Sequence, residues 1–236
     1  LFNRILNAQN AAVNLYNKWA LGINMGATWQ QNDFKNNYAG FGFGATLGKY
    51  HLQNEKHWFD IGWRFRYLYG TSSGQSRTRF YGIKENFVLN GGLDSNLNYS
   101  GSPGYVFYNY RTKTDEFSFE LMVGANRLRE KTGILFYVFG GGGGFYYKTR
   151  YDMKDANGIK YDFKKIDSAN TGNASSQLGS LLDDNYETVA SGKNNGKWGL
   201  APTLGVGLGY QFKRGMAIGL EHKITFPLHD DLEGNK

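Results

Sequence analysis

The segment Trp58–Gly70, WFDIGWRFRYLYG, decides how this chain folds. Phe59, Ile61, Trp63, Phe65, Tyr67 and Tyr69 alternate with Asp60, Gly62, Arg64 and Arg66. Successive side chains of a β-strand point to opposite faces, so one face of this segment is apolar and the other is small or charged. A water-soluble barrel turns its bulky apolar row inward to fill a core. Here the charges sit only on the row with the small residue. The expected arrangement encloses that row and leaves the apolar row facing hydrocarbon, as in a strand that crosses a bilayer.

The same period of two recurs in six further stretches. Trp19, Leu21, Ile23, Met25, Ala27 and Trp29 oppose Ala20, Gly22, Asn24, Gly26 and Thr28, and Phe41, Phe43, Ala45 and Leu47 oppose Gly40, Gly42, Gly44, Thr46 and Gly48. Phe117, Phe119, Leu121 and Val123 oppose Glu116, Ser118, Glu120, Met122 and Gly124. Near the C-terminus, segments 198–212 and 216–226 repeat the pattern, the second with Glu221 and Lys223 on its small row. The remaining stretch, FYVFGGGGGFYYKTR at 136–150, holds five consecutive glycines. A phosphate loop would need Gly-Lys-Ser/Thr and a following helix; aromatic alternation on both flanks makes this one long strand instead. Its aromatic row, Tyr137, Phe139, Phe145 and Tyr147, is assigned outward, and Gly140, Gly142, Gly144, Lys148 and Arg150 inward.

Trp19 and Trp29, Phe59 and Tyr69, and Tyr137 and Tyr147 are each ten positions apart on one row. At about 3.3 Å per residue and a tilt near 40°, that distance spans roughly 25 Å, the height of a hydrocarbon belt between two aromatic girdles. Connections run short, short, long, short, long and very short, and the two long loops, 70–104 and 152–196, fall on the same side of the barrel. The expected architecture is all-β: an antiparallel, up-and-down transmembrane β-barrel over 16–236, preceded by a periplasmic helix or arm at 1–15. Bacterial barrels have an even number of strands, so the seven visible strands call for an eighth beyond Lys236.

Composition excludes several other classes. Mean hydropathy is −0.54, and no apolar run approaches the roughly 18 residues of a membrane helix. With no cysteine, disulfides and thiolate metal sites are ruled out. The net charge of +7 comes from basic residues scattered among acidic ones, so no nucleic-acid partner is expected. On the inward rows Asp60, Glu116, Glu120 and Glu221 face Arg64, Arg66, Lys148, Arg150 and Lys223. An eight-stranded barrel is only wide enough for side chains, so these ions are expected to pair and plug the lumen.

Candidate chemistry is sparse. His229, Asp230 and Asp231 beside Asp183 and Asp184 are the best hydrolytic group, yet acids are common in exposed loops, and the chain is read as non-enzymatic. Asp155, Asn157 and Gly158 match part of a calcium loop, but Met153 occupies its first ligand position; a hairpin turn at 156–158 fits better. No catalytic residue, cofactor or metal site is assigned. Two residues resist the pattern. His222 lies on the apolar row, where a polar group is costly, and marks a contact with another subunit or a bulge. Pro202 interrupts a ladder.

Strand pattern, girdles and loop parity together resemble the OmpA-type eight-stranded outer-membrane barrels, in the Asn-, Lys- and Tyr-rich style of the Bacteroidota. The resemblance implies residence in the outer membrane of a Gram-negative bacterium and a structural, anchoring or docking role in the envelope. Outer-membrane lipids and lipopolysaccharide, together with other outer-membrane or periplasmic proteins, are then the expected partners. The alternative is part of a larger porin or hydrophobic-compound transport barrel, since larger barrels share the alternation.

Overall fold

The computed structural model describes residues 19–30, 37–51, 57–167, 169–190, 196–212 and 216–228. The N-terminal arm expected at 1–15 and the trio His229, Asp230 and Asp231 lie outside the described residues.

Seven long strands form one sheet in which every neighbouring pair is antiparallel. They are β1 (Trp19–Thr28), β2 (Asn37–His51), β3 (Phe59–Gln75), β4 (Asn109–Ala125), β5 (Ile134–Tyr151), β7 (Lys197–Gln211) and β8 (Ala217–Thr225). Each pairs with the next, and the two-residue β6 (Thr188–Val189) adds to β5 above the start of β7. The sheet curls into a half-barrel. Its end strands, β1 and β8, are separated by an odd number of strands and so run parallel. A single strand laid between them would be antiparallel to both.

On six of the seven long strands the apolar row faces outward. Leu21 is 81% exposed, Ile23 82% and Leu220 82%, while Arg64, Arg66, Glu116 and Glu120 on the other row are buried. β5 is the exception, and here the expectation is corrected. Phe136 and Val138 are exposed, whereas Phe139, Phe145 and Tyr147 are buried. Register explains the reversal: Val138 lies between Val123 and Val206 of the outer rows, and Phe139 lies opposite the buried Met122. Tyr137, Phe139, Phe145 and Tyr147 therefore point inward, and Lys148 and Arg150 point outward.

The glycine run exchanges roles in the same way. Gly141 and Gly143 face inward, opposite Glu120 and Ser118. A Cβ at either would lie within 1.9 Å of a β4 carbonyl, Phe119 O or Phe117 O. Their bare backbone permits the close approach that curls the sheet, and it leaves space for the side chains opposite.

A helix, α1 (Asn126–Thr132), joins β4 to β5. It ends at Gly133, whose φ of 77° is left-handed and whose N–H bonds Arg129 O at 2.7 Å. At the opposite end β3, β4 and β5 run to 17 or 18 residues, longer than a bilayer crossing needs. The two long loops lie above them. They fold into a cap with its own core of Leu89, Tyr99, Phe107, Met153, Phe163 and Leu178, which includes the helix α2 (Thr171–Leu181). The expected turn at 156–158 is present: Gly158 N bonds Asp155 O at 2.8 Å.

Candidate functional site

The interior of the half-barrel is crossed by a lattice of buried ions. Arg64 and Arg66 project from β3, Glu116 and Glu120 from β4, and Glu221 and Lys223 from β8, three strands away from β4 in sheet order. Arg64 Nε donates to Glu120 Oε2 at 2.6 Å, and its Nη1 and Nη2 grip both oxygens of Glu221 at 2.6 and 3.2 Å. Arg66 Nη2 also bonds Glu221, and its Nε lies 3.3 Å from Glu120 Oε2. Lys223 Nζ reaches back to Glu116 at 2.6 Å, Glu120 at 2.9 Å and Ser118 Oγ at 3.1 Å.

Three cations thus meet three carboxylates, and aromatic rings complete the packing. The Arg64 guanidinium lies 4.4 Å from the Phe139 ring centre and that of Arg66 lies 5.1 Å from it. Tyr137 donates its hydroxyl to Glu221 Oε1. These contacts follow from the inward aromatic row of β5, a cation–π arrangement that alternation alone does not reveal. Removing one member of such a buried set leaves its partners charged and unpaired, at a cost of about 3–5 kcal/mol.

The other expected lattice members lie elsewhere. Asp60 is near the α1 end, with Arg129 Nη2 3.6 Å from its Oδ2. Lys148 and Arg150 are on the outer face beside Lys113 and Arg111. Of the expected girdle, Trp19, Trp29 and Phe59 are exposed and Tyr69 is half-buried against Phe43. Tyr137 and Tyr147 leave the girdle for the interior. Tyr146 and Trp198, with ring centres 5.1 Å apart, occupy the outer row of β5 and β7. His222 remains on the outer row and stacks on Trp29 of this same chain at 5.9 Å. Pairing is in continuous register through both His222 and Pro202, so neither marks a bulge. Pro202 instead sits where β8 ends, its carbonyl accepting from Phe226 N at 2.9 Å.

Above the lattice Phe145, Tyr147 and Ala201 form a small buried cluster, while a large cavity remains between the lattice and β1, lined by Asn24, Thr46, Arg64 and Glu221. Tyr99 of the first long loop donates to Met153 O and Tyr161 O of the second, at 3.1 and 3.2 Å. At the junction, Asp152 Oδ2 accepts from Asn109 Nδ2 at 3.1 Å and from Asp184 N at 2.9 Å, while Oδ1 is buried without a hydrogen-bond partner among the described residues. Burial pushes the Asp152 carboxyl up to about 6, against the hydrogen bond from the Asp184 amide that pulls it down. Asp183 and Asp184 thus serve the cap's own hydrogen bonding. Among the described residues no cluster of three or more His, Cys, Asp or Glu could hold a metal ion. Among them, too, no helix is long and apolar enough to cross a membrane.

Compared with protein-family models, curated proteins and solved structures, the chain matches none. The class is therefore defined by geometry: an antiparallel half-barrel with a buried ion lattice on its inner face and an apolar exterior.

Proposed function

We propose that this protein is an outer-membrane β-barrel of the OmpA-like kind, with a structural, anchoring or docking role and no wide channel. The observation that carries the reading is the combination of an exposed apolar exterior with a buried ion lattice. Water-soluble folds bury apolar side chains and expose charge, whereas a lipid-facing barrel must do the reverse. Ions that pair between β3, β4 and β8 occupy the interior on that side, which supports the absence of a wide channel in this reading. The cap and the outer row then offer the surfaces for envelope partners. The chemistry is non-enzymatic in this reading, and the membrane is that of a Gram-negative bacterium.

Reconstitution into planar bilayers tests it. The expected result is membrane insertion, heat-modifiable migration in detergent gels and no stable conductance of nanosiemens size. A steady large conductance would replace this reading with a transport barrel. That second reading draws on one observation, that among the described residues the outer edges of β1 and β8 pair with no strand and so admit additional ones.

A further inference from the structure

The interior lattice leaves unexplained a ladder of cations on the outer face of β4 and β5. Arg111 lies directly opposite Arg150, and Lys113 directly opposite Lys148. Opposed residues of an antiparallel pair have Cβ atoms about 5 Å apart, and same-face rungs follow about every 7 Å along the strand. Four positive side chains are therefore rooted in one small patch. Like charges in direct opposition destabilise a sheet, and among the described residues none of the four has a carboxylate ion-pair partner. The acid on the same row of β4 is Asp115, whose Oδ1 accepts the Tyr67 hydroxyl at 2.6 Å. Lysines on an edge strand guard against mispairing, but β4 and β5 are central in the sheet.

Position along the strands supplies the explanation. Descending the outer row of β4 from Asp115, the side chains are Phe117, Phe119, Leu121 and Val123, all exposed and apolar. Tyr146, opposite Asp115, packs at a tilt against Trp198 at the level where the apolar belt ends. Aromatic rings of this kind mark the headgroup boundary of a bilayer. The lysine rung stands one same-face step beyond that level and the arginine rung two, toward the cap. The arginines are held in place by Tyr186: Arg111 lies 4.0 Å from its ring centre, and Arg150 Nη1 donates to its carbonyl at 3.4 Å.

We propose that the Arg111, Lys113, Lys148 and Arg150 ladder binds phosphate borne by the headgroup of a phosphorylated glycolipid in the cap-side leaflet. Guanidinium forks match phosphate oxygens in pairs, and the ammonium groups add point charge beneath them. An anion seated there converts the like-charge opposition into shared ion pairs. The inference rests on the outer-membrane reading and adds a specific lipid site to it.

The full chain, folded in detergent and checked by its heat-modifiable band, is titrated with a bisphosphorylated glycolipid and its dephosphorylated counterpart and read by native mass spectrometry. The wild type is expected to retain the phosphorylated form at least about tenfold better. The Lys113→Gln/Lys148→Gln variant should lose most of that preference, while Lys164→Gln/Lys165→Gln on the cap should keep it. Lys113 and Lys148 make no hydrogen bond or ion pair among the described residues, so their replacement spares the fold. Equal retention of the two lipids by the wild type overturns the site. So does an unchanged preference in the ladder variant, and so does full displacement by millimolar inorganic phosphate, which would indicate a site for the free anion. A chain that neither inserts into vesicles nor shifts on heating sinks the outer-membrane reading itself. Insertion with an unchanged lipid preference sinks only the ladder.

Discussion

Gly141 and Gly143 carry a structural demand that Gly144, in the same run of glycines, does not. An alanine Cβ would stand 1.9 Å from Phe119 O at position 141 and 1.8 Å from Phe117 O at 143, whereas at 144 the nearest atom is a Trp198 ring carbon at 3.7 Å. Gly141→Ala or Gly143→Ala must push β4 and β5 apart and is expected to cost on the order of 1–3 kcal/mol, a typical penalty for overpacking. Gly144→Ala should be close to neutral. Urea midpoints for unfolding from lipid vesicles would separate the two cases, and equal losses at all three positions would contradict the inward placement. That three neighbouring glycines differ so much was not legible from their order in the chain, because a bare residue has no side chain to betray its face.

At the scale of elements, the rows of six long strands were readable from alternation because only one row of each could tolerate hydrocarbon. β5 was not, since both of its rows hold aromatics and glycines, and period two then specifies a strand without specifying which face is which. Its hairpin partner decides: Leu121, Phe119 and Phe117 on the outside of β4 oppose Gly140, Gly142 and Gly144. The cap escaped the sequence reading for a different reason. Its buried aromatics come from two loops far apart in the chain and follow no period. Asp152 makes the cap sensitive to pH. A carboxyl whose folded pKa is raised from 3.8 to about 6 binds its proton more tightly in the folded state. The resulting stabilisation is complete below about pH 3.8 and lost as pH rises through about 6. Protection factors for amide exchange across 152–190, taken relative to the intrinsic rate at each pH, should therefore be higher at pH 5 than at pH 8. Asp152→Asn, which can still accept from Asn109 and Asp184, should flatten that difference; an unchanged pH dependence would remove Asp152 as its source.

On the scale of the whole molecule, the lattice ties β8 to β3 and β4 across the interior, while among the described residues β8 is laddered to a single neighbour, β7. Glu221→Ala leaves Arg64 and Arg66 each short of a carboxylate and is expected to destabilise the fold by about 3–5 kcal/mol. The loss should appear first as faster amide exchange in β8. Uniform acceleration over all strands would mean that the lattice does not hold the curl. The strands, their outward apolar rows except in β5, and the up-and-down order of neighbours were set by the sequence alone, because side-chain alternation is a local property of extended backbone. Only the tertiary structure decided the face of β5, the pairing of particular ions across the interior and the folding of two loops into one cap. Each of these depends on groups remote in the chain, whose distances are set by register and curl and by no spacing within a single segment.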